Sequence, residues 1–155
     1  MHKIGTVVAA LGLAALGLAV PATAQAATTG ANCDAKWPGR DGYVRAWDGT
    51  DCSGTYLGGT QGNDSAWGDT SGAFQGYDEN RASSVMNSGY TGGYDVVAFY
   101  FYAGYTGGYG CLSPYEYYVD DLSRNTFTSG YNMNNNIMSH KWVPSSACSS
   151  GSWMS

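Results

Sequence analysis

The sequence predicts an all-β domain, an antiparallel sandwich in which one unit is used twice, and three observations carry that prediction. The first is a repeat: Trp47 and Gly54, with six residues between them, lead to Gly76-Tyr77 and then Asn80-Arg81-Ala82-Ser83-Ser84. Tyr100 and Gly107, again with six between, lead to Gly130-Tyr131 and then Asn135-Asn136-Ile137-Met138-Ser139. The two glycines lie 53 residues apart and Ser83 and Ser139 lie 56 apart, so the copies differ only by short loop insertions, and a unit of this length buries its apolar face against its twin. The second is composition: 23 glycines and 13 tyrosines in 155 residues. Glycine costs about 1 kcal/mol in a helix interior, whereas aromatic rings suit pleated surfaces. The third is the regular alternation of short apolar or aromatic runs with glycine-bearing turns, which marks a sandwich.

From the N-terminus, His2 and Lys3 precede an apolar run from Ile4 to Val20, then Pro21 and the small-residue pattern Ala24-Gln25-Ala26. This reads as a secretory signal peptide, residues 1–26, cleaved after Ala26 or at a second site, Ala22-Thr23-Ala24. The run is marginal for a bilayer of ~30 Å and no basic stop-transfer cluster follows. The mature chain, residues 27–155, is therefore expected to be extracellular, without a membrane span, and to form a single domain of ~100–150 residues, with repeats at about 42–90 and 94–143.

Within it, strands are expected at Tyr43–Trp47, Ser83–Asn87, Val96–Tyr102, Tyr115–Val119 and Ser139–Val143. Turns are expected at Asp48-Gly49, Gly58-Gly59, Gly92-Gly93, Gly107-Gly108 and Ser129-Gly130. The polar stretches Gly59–Gly72 and Val119–Gly130 take the place of long Greek-key returns, pinned to the core by Trp67, Phe74 and Phe127. Thr28–Asn32 and Ser149–Ser155 read as loose ends, with Trp153 as a large aromatic left in water.

Four cysteines, Cys33, Cys52, Cys111 and Cys148, occur without a Cys-x-x-Cys pair, which in a secreted chain points to two disulfides and not to zinc. Of the three pairings, Cys33 with Cys52 and Cys111 with Cys148 would staple one repeat each. Each bridge would add roughly 3–4 kcal/mol in the chain-entropy model.

Twelve acids face the six bases that remain once Lys3 is set aside, a net charge near −6. Such a chain repels phosphate backbones and anionic lipid, so nucleic acid is excluded as a partner, while cations and solubility are favoured. Catalysis is not expected. The mature chain has one histidine, His140, at the edge of the second repeat motif, where it is expected to face solvent or cap a turn. There is no Gly-x-Ser-x-Gly elbow, one histidine is too few for a zinc hydrolase, and no glycine pair is followed by Lys-Ser/Thr to cradle phosphate. The carboxylate pairs Asp78-Glu79 and Asp120-Asp121 read as solvated loop charges, because sequence neighbours on a strand point apart.

The aromatic, six residues, glycine and later Asn/Ser step, present twice between Gly42 and Val143, resembles the βγ-crystallin superfamily. The resemblance implies a βγ-crystallin-like sandwich of two Greek-key repeats, with Gly54 and Gly107 permitting a folded hairpin. Many members bind calcium through Asn/Asp, Asn/Asp, two free positions, Ser/Thr, Ser. Aligned on Ser83 and Ser139, the copies read Glu79-Asn80-Arg81-Ala82-Ser83-Ser84 and Asn135-Asn136-Ile137-Met138-Ser139-His140. Glu79, Asn80, Ser83, Asn135, Asn136 and Ser139 are then the candidate oxygen donors to Ca2+, weak because few of them are charged. With its signal peptide and cysteines the chain also resembles the bacterial secreted metalloproteinase-inhibitor family. That implies a thermolysin-like metalloproteinase as partner and Cys111-Leu112 as the reactive bond, followed by Ser113-Pro114; the second cysteine expected a few residues on is missing. Related secreted proteins resemble killer toxins as well.

A different function class follows from the aromatics. Tyr90, Tyr94, Tyr100, Tyr102, Tyr105, Tyr109, Tyr115, Tyr117 and Tyr118 are too many for the core of so small a sandwich. Tyrosines exposed beside Asn and Asp suit a carbohydrate or cell-wall polysaccharide, whose pyranose faces stack on rings while amides bond hydroxyls, and aromatic residues also collect at interfaces.

Overall fold

Two antiparallel sheets face each other in the computed structural model, which describes residues 30–155; the expected signal peptide lies outside the described residues. The elements run α1 (Ala31–Lys36), β1 (Tyr43–Trp47), β2 (Tyr56–Thr60), β3 (Ser84–Ser88), β4 (Val96–Tyr102), β5 (Thr106–Leu112), β6 (Tyr118–Val119) and β7 (Ser139–Val143), with short 3-10 turns at Leu122–Arg124 and Ser145–Ala147. One sheet has the order β2-β1-β3-β6 and the other β5-β4-β7.

The order shows how the copies interlock. In the first, β1 lies between β2 and β3; in the second, β4 lies between β5 and β7. Each copy then lends a short third strand to the sheet of the other. β6, from the second copy, pairs with β3 through Val85 and Met86. Asp64, from the first, forms a two-bond bridge with His140 in β7, at 3.0 and 2.9 Å. This is a sandwich of two Greek-key repeats, and neither half can close its sheet alone.

Side-chain alternation explains where the core sits. Val44 and Ala46 of β1, Val85 of β3, and Val97 and Phe99 of β4 point between the sheets, joined by Leu112, Val119, Leu122 and Ile137. The loop aromatics Trp67, Phe74 and Phe127 are buried with them, and Trp67 stacks on Phe74 with centroids 4.0 Å apart and planes 7° apart. The opposite faces are covered by the disulfides. Cys33 is bonded to Cys52 and lies against Trp47 and Met86, outside the first sheet. Cys111 is bonded to Cys148 beside Val96, Ala98 and Val143, outside the second. The Tyr118 hydroxyl adds to the first staple by donating to the Asp34 carboxylate at 2.6 Å, which pushes its ionisation up to about 12.

Four sequence expectations are corrected. Gly58-Gly59 and Gly107-Gly108 lie inside β2 and β5 and are not turns. A side chain at Gly58 would strike the Ala73 carbonyl, so the strand runs there because the crossing loop lies against bare backbone. Of the strand expected at Tyr115–Val119 only Tyr118–Val119 forms, the rest being a turn. The strand expected at Ser83–Asn87 is Ser84–Ser88. The C-terminal residues are held: Trp153 bridges Cys111 in parallel, Met154 is buried, and Asn125 bonds both the nitrogen and the oxygen of Ser155.

Candidate functional site

The aromatic and glycine of each repeat motif build a folded hairpin, and one serine clasps it. Gly54 and Gly107 adopt φ of 72° and 83°, and a Cβ would collide with the Asp48 carboxylate at the first and the Tyr102 ring at the second. The Ser84 hydroxyl donates to Gly49 O at 2.7 Å and accepts from Cys52 N at 3.0 Å. Ser139 repeats this, donating to Tyr102 O at 2.7 Å and accepting from Tyr105 N at 3.3 Å. Ser84 faces Trp47 across the first sheet and Ser139 faces Tyr100 across the second, so Ser139 is the twin of Ser84, not of Ser83. Backbone bonds agree: Asn80 N donates to Ile137 O and Asn135 N to Ala82 O, both at 2.9 Å, with Asn80 and Asn135 at φ 57° and 58°.

This register corrects the candidate calcium set. The second copy reads Asn134-Asn135-Asn136-Ile137-Met138-Ser139, which puts Met138 where the first has Ser83, and His140 replaces no serine. Ser139 is committed to its hairpin, and the Asn136 amide donates to Asn132 O and Asn134 O, each at 3.0 Å. What comes together is Ser83 and Asn135, with Oγ to Oδ1 at 3.4 Å; Asn80 reaches the second loop through its backbone bond to Ile137, and Glu79 packs against Gly68. A thioether is a poor ligand for a hard cation. Arg81, inside the first loop, adds a positive charge paired with Asp48 at 2.7 Å. The residues of the second loop do not fit calcium, and the first offers one carboxylate. Among the described residues no three His, Cys, Asp or Glu side chains gather.

Cys111 and Leu112 are fully buried in β5, paired with Ala98 and Val97. β5 is the edge strand of its sheet, but at Cys111 that edge is covered by the C-terminal segment, with Cys111 N on Ser152 O at 2.7 Å and Met154 N on Cys111 O at 3.0 Å, so the bond lies buried and not in an open loop. His140 is likewise inside, contrary to the expectation that it faces solvent: β-alternation turns it into the core, where Nδ1 accepts from Trp67 Nε1 at 2.9 Å and Nε2 donates to Gly62 O at 3.1 Å. Burial pushes its pKa down to about 4, so it is neutral, bonded on both nitrogens and sealed from any substrate.

Among the described residues a groove of about 430 Å3 opens where β3 ends and β7 passes beneath. The half-buried ring of Trp142 floors it; Tyr90 and Tyr94, both mostly exposed, stand at its rim with Gln61. Bare backbone at Gly42, Gly89 and Gly92 forms the remaining wall. Gly89 is required there, since a Cβ would lie 2.6 Å from the Trp142 ring. The Gln61 amide is fixed by donating to Asp41 O at 2.9 Å, and Trp142 N donates to Asn63 Oδ1 at 2.8 Å. No ionisable acid or base lines the groove. Of its residues, sequence reasoning singled out only Tyr90 and Tyr94. Gly89 and Gly92 flank those tyrosines in sequence, whereas Gly42, Gln61 and Trp142 come from distant segments, and the one signal for the last was its place on the opposite side of its strand from Lys141.

No protein-family model and no curated protein matches the chain. Among solved structures it is similar to one from work on the evolution of the eye lens βγ-crystallin domain fold, with 20% identity, TM-score 0.47, and coverage of 67% of this chain and 86% of that one. It is also similar to a βγ-crystallin from an archaeon, with 19% identity, TM-score 0.46, and coverage of 65% and 96%. The fold assignment stands on the strand pairing itself.

Proposed function

We propose that this chain is an extracellular, non-catalytic binding protein whose working surface is the Trp142 groove and whose ligand is a neutral polysaccharide. The observation that carries this reading is the lining: aromatic rings, one fixed amide and bare glycine backbone, with no charge. Ring faces take up the apolar face of a pyranose, while the Gln61 amide oxygen and the tyrosine hydroxyls bond its hydroxyls. The lack of charge disfavours phosphate, carboxylate and ammonium ligands, which need a counter-charge when partly desolvated. Burial of His140 removes the one histidine of the mature chain from service as a general base, which supports binding without turnover.

Retention on insoluble chitin or cellulose, both neutral, tests the reading. The intact protein is expected to bind at least one of these, and Tyr90→Ala and Tyr94→Ala to run through. Flow-through of the intact protein on both would reject it.

A further inference from the structure

Beside the groove stands a second aromatic cluster that the reading above leaves unused, and Arg40 joins the two. Its Nη1 donates to Gly89 O, on the groove wall, at 2.9 Å, and its Nη2 donates to Pro114 O at 2.7 Å. The same guanidinium lies 5.4 Å from the Tyr117 ring, 5.8 Å from Trp37 and 6.0 Å from Tyr115. Trp37 and Tyr117 touch each other at 4.8 Å between centroids. Tyr115 is 72% exposed and Tyr117 45%. With one hydrogen of each terminal nitrogen on a backbone carbonyl and three rings within 6.0 Å, the guanidinium is a spacer that bridges aromatic surfaces.

The loop that carries these tyrosines is rigid. Glu116 N bonds Ser113 O at 3.2 Å, Tyr115 N bonds Ser113 Oγ at 3.1 Å, and Asn87 N bonds Tyr117 O at 2.7 Å. Tyr117 itself sits at φ 64°, in the left-handed region that a bulky L residue enters only when its surroundings hold it there. The chain accepts that strain and leaves two rings facing water, with bonds fixing their angle.

We propose that the groove is one end of a longer track, continued across Arg40 onto Tyr115 and Tyr117, so that the ligand is an extended polysaccharide spanning several sugars and not a single terminal residue. This rests on the saccharide reading of the groove. A neutral, equatorially linked chain is the occupant the surface fits, because its flat ribbon offers an apolar face to rings placed in succession, and the groove that makes the first contacts is lined by no charged side chain. Groove residues supply the first contacts, and the Tyr115–Tyr117 loop adds affinity only for chains long enough to reach it.

Calorimetric titration with the dimer, tetramer and hexamer of β-1,4-linked glucose and of β-1,4-linked N-acetylglucosamine tests this. Affinity for one series is expected to rise by about tenfold or more from dimer to hexamer, as one added aromatic contact would give. Tyr115→Ala and Tyr117→Ala should remove that gain and leave dimer binding unchanged, while Tyr90→Ala should weaken every length. Near-UV circular dichroism checks that the exposed-site variants stay folded. Length-independent affinity with a persisting Tyr90→Ala effect would overturn the track and spare the groove; no binding of any oligomer by the intact protein would overturn both.

Discussion

Trp67 donates its indole hydrogen to Nδ1 of His140 at 2.9 Å, at the heart of the sandwich. The bond fixes the imidazole proton on Nε2, and Trp67 belongs to the first repeat while His140 belongs to the second. Protonating the ring would place a hydrogen where Trp67 already points one. The unfolded chain takes up this proton near pH 6.5 and the folded chain not until about 4, so between those values the unfolded state binds more protons and stability rises with pH. The contribution is whole above 6.5 and is lost as pH falls through the window, by on the order of 3 kcal/mol in all. Urea unfolding at pH 7 and pH 4.5 should show a larger loss for the intact protein than for His140→Gln, which keeps an acceptor for Trp67. Equal losses would contradict it.

The serine clasps give a prediction about register. Ser84→Ala and Ser139→Ala each remove the partner of one backbone donor and one backbone acceptor, buried or part-buried, and should destabilise the protein by roughly 1–3 kcal/mol. Ser83→Ala, whose hydroxyl has one long contact with Asn135, should stay within about 0.5 kcal/mol. Denaturant midpoints decide this, and a greater loss at Ser83 would restore the original alignment of the motifs.

For calcium, the first loop offers Glu79, Asn80 and Ser83 and the second offers Met138 in place of a hydroxyl. Ten millimolar calcium should therefore leave the melting temperature close to its value in EDTA, since binding at a concentration equal to Kd adds only about 0.4 kcal/mol. Met138→Ser, which supplies the missing oxygen, should raise the calcium response. A shift of many degrees in the unaltered protein would show that the loops rearrange to bind.

Burial of Cys111 and Leu112 bears on peptidases. Turnover by a thermolysin-like metalloproteinase should be unchanged by an equimolar amount of this protein, measured on a peptide substrate after preincubation. Stoichiometric inhibition would require some other loop to enter the protease cleft.

Strands β1, β4 and β7 were legible to the residue, because β-branched and aromatic residues alternate there between clear turns. β2 and β5 were not: their glycine pairs carry the local signal of a turn, and the contacts that explain glycine inside a strand, Ala73 on Gly58 and Ser129 on Gly108, come from residues far off in sequence. The duplication was legible, but its register in the second copy was not, since Ser83 and Ser84 are adjacent and the choice between them lies in backbone pairing across the sandwich. His140 was misplaced for want of its partner, 73 residues away in sequence. The groove was the least legible part, its wall drawn from the segments around residues 42, 61, 89–94 and 142. The exposed tyrosines pointed to a class of ligand and not to a place.

Trp142 floors the groove, and its emission is the most direct report on whether anything binds there. Titrating the protein with the hexamers of β-1,4-linked glucose and N-acetylglucosamine should produce, for at least one of them, a saturable change in tryptophan fluorescence that is lost in Trp142→Phe and retained in Trp153→Phe. A spectrum indifferent to both oligomers, or a response that survives Trp142→Phe unchanged, would contradict the assignment of this groove as the working surface.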